Sequence, residues 1–425
     1  MTEHSLLKRR SRAMGPAYRL FYEQPVHLVR GEGVWLFDAD GHKYLDCYNN
    51  VASVGHCHPH VVETLTRQAS TLNTHTRYLH ENVVQYAERL GATMPGDLGV
   101  CMFVCTGTEA NDLAFRIART VTGNEGAIVT DHAYHGNSIV VTELSTEEYP
   151  ASEQPRYLET VEAPNPYRGS YRYGDPDLGD KYAAFADDAI DRLAQRGVKP
   201  AMFMCDNIFS SNGILTPPPQ YLQGVYRRVR EAGGVIVADE VQSGLCRLGD
   251  HMWAFEDSGV VPDIVTMGKP IGDGHPLAAV VTTPAIAEEF ARKFDYFNTF
   301  GGNPVSAAVG MAVLDVIEDE NVLRNVHEVG AFLGTGLKAL AENIELIGDV
   351  RGKGLFYGVE IVRDRNTMEP GEQAPKIREH LRDNGVLLGV TGPMDNVIKI
   401  RPPMVFSKSN ADFLLDKLVQ ALNSV

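Results

Sequence analysis

Asp239, Gln242 and Lys269 follow one another with the residue types that carbanion chemistry needs. Lys269 lies 30 residues after the aspartate of VIVADEVQSG, among small or apolar neighbours: Met267, Gly268, Pro270, Ile271 and Gly272. A lysine held out of water loses basicity, which makes it a better nucleophile and a better proton shuttle. Most lysines are surface solvating groups, and that plain role is the alternative. Asp239 and Glu240 end a strongly apolar run, where an open α/β sheet has its ligand crevice. The two carboxylates also suit a magnesium site and phosphatase chemistry, although the chain carries no P-loop pattern.

A lysine amine able to hold an aldehyde as a Schiff base, with a carboxylate able to keep a ring nitrogen protonated, suits pyridoxal 5′-phosphate (PLP). Asp239 would meet that ring N–H through a charge-assisted hydrogen bond. Gln242 could donate to the ring's phenolic oxygen. Two further segments belong at the same sheet edge. In Cys105-Thr106-Gly107-Thr108-Glu109-Ala110-Asn111 an apolar strand gives way to an amphipathic helix. Small residues there let backbone N–H groups approach an anion, and the helix start favours negative charge. An ordinary helix cap accounts for Thr108 and Glu109 equally well. In Asp131-His132-Ala133-Tyr134-His135-Gly136, Tyr134 could stack on a pyridine ring or simply pack.

The elements that must position these residues are legible as alternating short apolar runs and longer amphipathic ones, the pattern of an α/β sheet with helical crossovers. Strands are expected at Val100–Val104, Ala127–Thr130, Ala201–Cys205, Val235–Ala238, Ile264–Met267 and Ala278–Thr282. Helices are expected at Glu81–Met94, Glu109–Val121, Lys181–Gln195 and Gln220–Glu231. Residues 57–310 form the expected large domain. Residues 1–56 read as an arm and a small sheet, and 311–425 as a smaller α+β domain that the first segment joins. Asn303–Leu346 reads as one long helical stretch, and Pro150–Asp177 as a long loop.

The chain has 425 residues, 44% hydrophobic and 22% charged, an ordinary globular balance with ample length for two domains. A net charge of −16 without a basic block argues against nucleic acid as a partner. No apolar run reaches the length of a membrane span, and no apolar segment follows Lys8, Arg9, Arg10 and Arg12 to make a signal peptide. Six scattered cysteines without C-x-x-C suit reduced thiols and a cytoplasmic protein. His56, Cys57, His58 and His60 are too close in sequence to converge readily on one zinc ion, so no metal is expected. Gly334-Thr335-Gly336 lies inside a helical run with no preceding strand, which argues against a dinucleotide site.

From about Gly31 to Arg401 these motifs, in this order, resemble the class III aminotransferases of PLP fold type I. The resemblance implies that Lys269 carries the cofactor, Asp239 pairs with the pyridine nitrogen, and Gln242 contacts the ring oxygen. Val241 and Tyr134 would pack on opposite ring faces, and Gly107 and Thr108 would bind the cofactor phosphate. Thr299, in FNTFGGNP, would reach that phosphate from the partner subunit, which implies a homodimer with composite sites, alone or paired as a tetramer. YNNVASVGHCHP, NTHTRYLH and GKPIGDGHP look most like the ethanolamine-phosphate phospholyase branch. Cys246 departs from the family, which often has glycine there; the loop is expected to tolerate it.

The branch implies a small amino-phosphate substrate, O-phosphoethanolamine, cleaved to acetaldehyde, ammonia and phosphate. Arg401 matches the arginine that binds substrate carboxylate in many relatives and could grip phosphate through its fork. Arg77, Tyr18 and Asn50 are further candidate donors. The alternatives are an ω-amino acid or alanine–glyoxylate transaminase with the same cofactor, and a non-catalytic PLP-fold protein.

Overall fold

The computed structural model describes residues 3–425. At its centre a seven-stranded sheet runs in the order Val100–Val104, Ala278–Thr282, Ile264–Met267, Val235–Asp239, Pro200–Asp206, Gly126–Thr130, Leu158–Val161. Ala278–Thr282 is antiparallel to both neighbours, and every other pairing is parallel. The inner strands are buried on both faces, which is why they read as continuous apolar runs. The result is a mixed, mostly parallel sheet flanked by helices, the architecture expected from the sequence.

Because those strands share a direction, their C-terminal ends share one edge of the sheet. Thr106, Asp131, Asp206, Asp239 and Lys269 all lie at or just beyond that edge. The helix Gly107–Thr122 crosses the sheet and buries Ala110, Asn111, Leu113, Ala114 and Ile117 against it.

Two smaller sheets complete the chain. Leu28–Glu32, Trp35–Asp38 and Lys43–Asp46 form an antiparallel set, and Lys43–Asp46 also pairs in parallel with Val386–Leu387. Ile347–Lys353, Phe356–Asp364, Val397–Ile400 and Gly389–Thr391 form the other.

Three segments differ from the sequence expectation. Asn303–Leu346 is two helices, Pro304–Asp319 and Val322–Asn343, broken at Asn321, which takes φ +51°. Asparagine tolerates that left-handed geometry better than most residues. Lys181–Gln195 is likewise split into Leu178–Ala183 and Phe185–Gln195. The expected loop Pro150–Asp177 contains the edge strand Leu158–Val161.

Candidate active site

A cavity of about 390 Å³ opens along the C-terminal edge of the central sheet. Asp239 forms part of its wall and is only 4% exposed. Its Oδ2 accepts from Asn111 Nδ2 at 2.9 Å and from His135 Nδ1 at 2.7 Å, and its Oδ1 accepts from the Val241 N–H at 3.1 Å. Since a carboxylate only accepts, the His135 proton sits on Nδ1. Asn111 is itself fixed: Thr266 Oγ1 donates to its Oδ1 at 2.6 Å, and its Nδ2 also reaches the His135 carbonyl at 2.7 Å. The carboxylate is therefore aimed by three different elements. Asn111 and His135 were not among the candidates from sequence.

Lys269 follows the strand Ile264–Met267 and begins a short 3₁₀ turn, Lys269–Gly272, with φ +32°. A non-glycine residue held at positive φ is uncommon and concentrates at functional sites. Burial depresses its ammonium to about 8; the Arg401 charge adds to the effect, while Asp239 and Asp206 oppose it. The residue is therefore partly neutral at physiological pH, as a nucleophilic lysine must be.

Thr106, not Thr108, caps the helix. Its side chain accepts from the Glu109 N–H at 3.1 Å, and Glu109 Oε2 takes the N–H groups of Cys105 and Thr106 at 2.9 Å each. The Gly107 and Thr108 N–H groups, at the first helical positions, have no protein acceptor among the described residues. Both residues line the cavity. A Cβ on Gly107 would stand 2.9 Å from both Val241 methyls, and one on Gly136 would stand 2.5 Å from Thr108 Oγ1. Glycine keeps this cradle open.

Tyr134, Val241 and Gln242 also line the cavity, as does Asp206, which sequence reasoning passed over. Glu240 does not share a site with Asp239. It is fully buried and accepts from Asn207 Nδ2 at 2.8 Å, Ser243 Oγ at 3.1 Å, and the Ala254 and Phe255 N–H groups at 3.0 Å each. The magnesium reading, which needs both carboxylates on one ion, loses its second ligand. His56, His58 and His60 turn to three separate carboxylates, Asp46, Glu320 and Asp315.

Arg401 is 4% exposed and stands beside the cavity rather than in its wall. Its Nη1 donates to Gln242 Oε1, and its Nε donates to the Tyr48 carbonyl at 3.2 Å. Asn50 is 1% exposed, donates to the Gln242 carbonyl at 3.2 Å, and keeps a buried Oδ1 with no partner. Three other candidates lie apart from the cavity of the single subunit. Thr299 is exposed, Tyr18 is 61% exposed, and Arg77 stacks its guanidinium over Phe297 at 3.9 Å. Cys246 is buried at φ +65° beside Leu245 at φ +59°.

The class III aminotransferase family model matches residues 21–422. The chain belongs to that family. Alanine–glyoxylate aminotransferase 2-like of Drosophila melanogaster is 43% identical over the whole of this chain and 88% of its own length. Ethanolamine-phosphate phospho-lyase homolog 1 of Caenorhabditis elegans is 38% identical over 96% of this chain and 91% of its own. Among solved structures, an Arthrobacter phospholyase in complex with phosphoethanolamine superposes with a TM-score of 0.95 at 42% identity, covering 99% of this chain and all of its own. The cofactor of this class III enzyme is PLP. The cavity fits it: a desolvated lysine, a buried carboxylate and a glycine-lined helix start with free N–H groups border one space. No helix among the described residues is long and apolar enough to cross a membrane.

Proposed function

We propose that this chain is a phospholyase that eliminates phosphate from a small amino-phosphate ester, most simply O-phosphoethanolamine, giving acetaldehyde, ammonia and phosphate. The observation that carries the reading is Arg401: a buried guanidinium beside the Lys269 cavity whose hydrogen-bond acceptors are both neutral. A buried cation without a counter-charge is costly, and it is retained where a ligand brings the missing anion.

When bound, PLP supplies an electron sink that acidifies the proton on the carbon next to the substrate nitrogen. Lys269 holds the cofactor and then, as a free amine, removes that proton. Asp239, oriented by Asn111 and His135, keeps the cofactor ring nitrogen protonated. Gly107 and Thr108 receive the cofactor phosphate on their free N–H groups. Val241 and Tyr134 pack against the ring, and Gln242 offers its amide N–H to the ring oxygen. Arg401 holds the ester phosphate so that its C–O bond lies where the departing electron pair is favoured. Loss of the proton and of phosphate, followed by water addition and loss of ammonia, balances the reaction. Asn50 adds a donor from the wall.

The reading includes a homodimer. Thr299, Arg77 and Tyr18 are exposed on the single subunit, as are Tyr78, Leu79 and Phe300, and each would be covered by a partner at a composite site. A cytoplasmic location accompanies it.

The test incubates holoenzyme with phosphoethanolamine and no keto acid, and assays phosphate and acetaldehyde together. Equimolar release of both is expected. No phosphate release there, with amino transfer in a parallel incubation supplied with glyoxylate, would replace the lyase reading by the transaminase one.

A further inference from the structure

Lys399 lies on the strand Val397–Ile400, two residues before Arg401, which follows the strand's end, and both side chains reach the same Gln242 oxygen. At its register Lys399 has glycine on both sides, Gly358 on one neighbouring strand and Gly389 on the other. No carboxylate therefore stands directly opposite it, and the diagonal Glu360 is taken by Arg168 and Arg351. Lys399 is 8% exposed. Its Nζ donates to Gln242 Oε1 at 3.3 Å, the same oxygen that Arg401 Nη1 uses. Asp206 is near enough for both cations to feel, but its carboxylate accepts the Ile208 and Ser210 N–H groups at 3.1 and 3.0 Å. Among the described residues neither cation has an ion pair.

Two buried basic side chains thus converge on one neutral amide oxygen; burial and the neighbouring Arg401 hold the Lys399 ammonium well below the usual lysine range, and an arriving dianion restores its charge. An ordinary buried arrangement would put a carboxylate at that point. We infer that Lys399 is the second charge of a seat for a dianion, and that Gln242 Oε1 holds the place of an oxygen of that dianion between Lys399 and Arg401. A phosphate monoester carries close to two negative charges at neutral pH, whereas a carboxylate carries one. The seat selects phosphate esters over amino acids by charge. Arg401 supplies the flat fork and Lys399 the point charge. When the phosphate enters, the Gln242 side chain leaves both cations and turns to the cofactor. The inference rests on the phospholyase reading of this site for the identity of the ester, but not for the seat itself.

The experiment titrates inorganic phosphate into holoenzyme by calorimetry, with the cofactor's own phosphate already seated, for wild type, Lys399→Met and Lys399→Arg. Lys399→Met is expected to weaken phosphate binding at least about 10-fold, the scale of one charge-assisted contact, with Lys399→Arg much closer to wild type. The KM for phosphoethanolamine should rise in parallel with the loss, with kcat less affected. Phosphate affinity unchanged in Lys399→Met overturns the seat, as does equal loss in both variants or no phosphate binding by wild type. If the seat binds phosphate through Lys399 but phosphoethanolamine releases none, the lyase reading falls and the seat stands.

Discussion

His135 and Asp239, 104 residues apart in sequence, are joined by a 2.7 Å hydrogen bond from Nδ1 to Oδ2, with both side chains almost wholly out of water. The bond leaves His135 Nε2 buried without a protein partner. Asp239 is thus held by a neighbour that is itself held through its backbone, since Ser145 Oγ accepts the His135 N–H at 3.0 Å.

Asp239→Asn keeps the shape and removes the charge that a protonated ring nitrogen requires. Turnover is expected to fall by about two orders of magnitude or more, comparable to loss of a strong electrostatic contact in an active site. Steady-state phosphate release would measure it. His135→Phe should give a smaller loss, because Asn111 and the Val241 N–H still hold the carboxylate.

Lys269 makes a pH-dependent contribution to the apoprotein. Its folded-state value of about 8 lies below the ordinary 10.5, so between these pH values the unfolded chain binds more protons. The cost of burying the ammonium is fully present below pH 8, falls as pH rises, and is gone above 10.5. The gap corresponds to roughly 3 kcal/mol. Apo Lys269→Met should therefore be more stable than the wild-type apoprotein at pH 7, with the difference closing towards pH 10.5. Urea unfolding at a series of pH values checks the sign. The same variant should trap no cofactor on borohydride reduction.

Gly107→Ala sets two effects against each other. Alanine favours the helix by about 1 kcal/mol, but its Cβ would stand 2.9 Å from two methyls of the buried Val241. The clash decides, because both methyls of a β-branched side chain stand in the way and no single χ1 turn clears them, so Val241 can yield only by moving into the space the cofactor ring needs. Cofactor affinity should drop at least about 10-fold, with a stability loss of about 1–2 kcal/mol. Fluorescence titration of apoprotein with PLP and thermal unfolding measure the two.

Gln242→Glu puts the missing carboxylate between Arg401 and Lys399. The apoprotein should gain stability, by about 1–3 kcal/mol, as buried cations acquire a counter-charge. Phosphoethanolamine turnover should fall at least about 10-fold, because the substrate must now expel an anion. A rise in Tm with a fall in kcat/KM is the expected signature.

The central strands were legible because each is a short apolar run, buried on both faces, between turn residues. Val100–Val104, Ile264–Met267 and Ala278–Thr282 have the expected bounds. Leu158–Val161 escaped notice because an edge strand of four residues, buried only at its two ends, leaves the weak pattern LETV. The helix break at Asn321 has no glycine or proline to announce it. Lys269 and Asp239 stood out by their apolar surroundings. Asn111 was hidden as one polar residue in an amphipathic helix, although its place on the buried face, four residues after Gly107, was a signal. Lys399 was hidden beside Arg401, yet a lysine inside the apolar strand VIKI is a buried charge that water cannot serve. Thr299, Arg77 and Tyr18 have roles that a single subunit does not define.

Lys43–Asp46 zips alongside Val386–Leu387, more than 340 residues later, and the Arg401 N–H closes on the Cys47 carbonyl at 2.7 Å. The Lys43–Asp46 edge of the opening sheet therefore has no partner until the far end of the polypeptide has been made. During synthesis that one edge of the early sheet waits unpaired, a long exposure that slows maturation and invites chaperone capture. Arg401 is put in position only at this last stitch, so an immature chain can close its central sheet before the wall beside the cavity is complete.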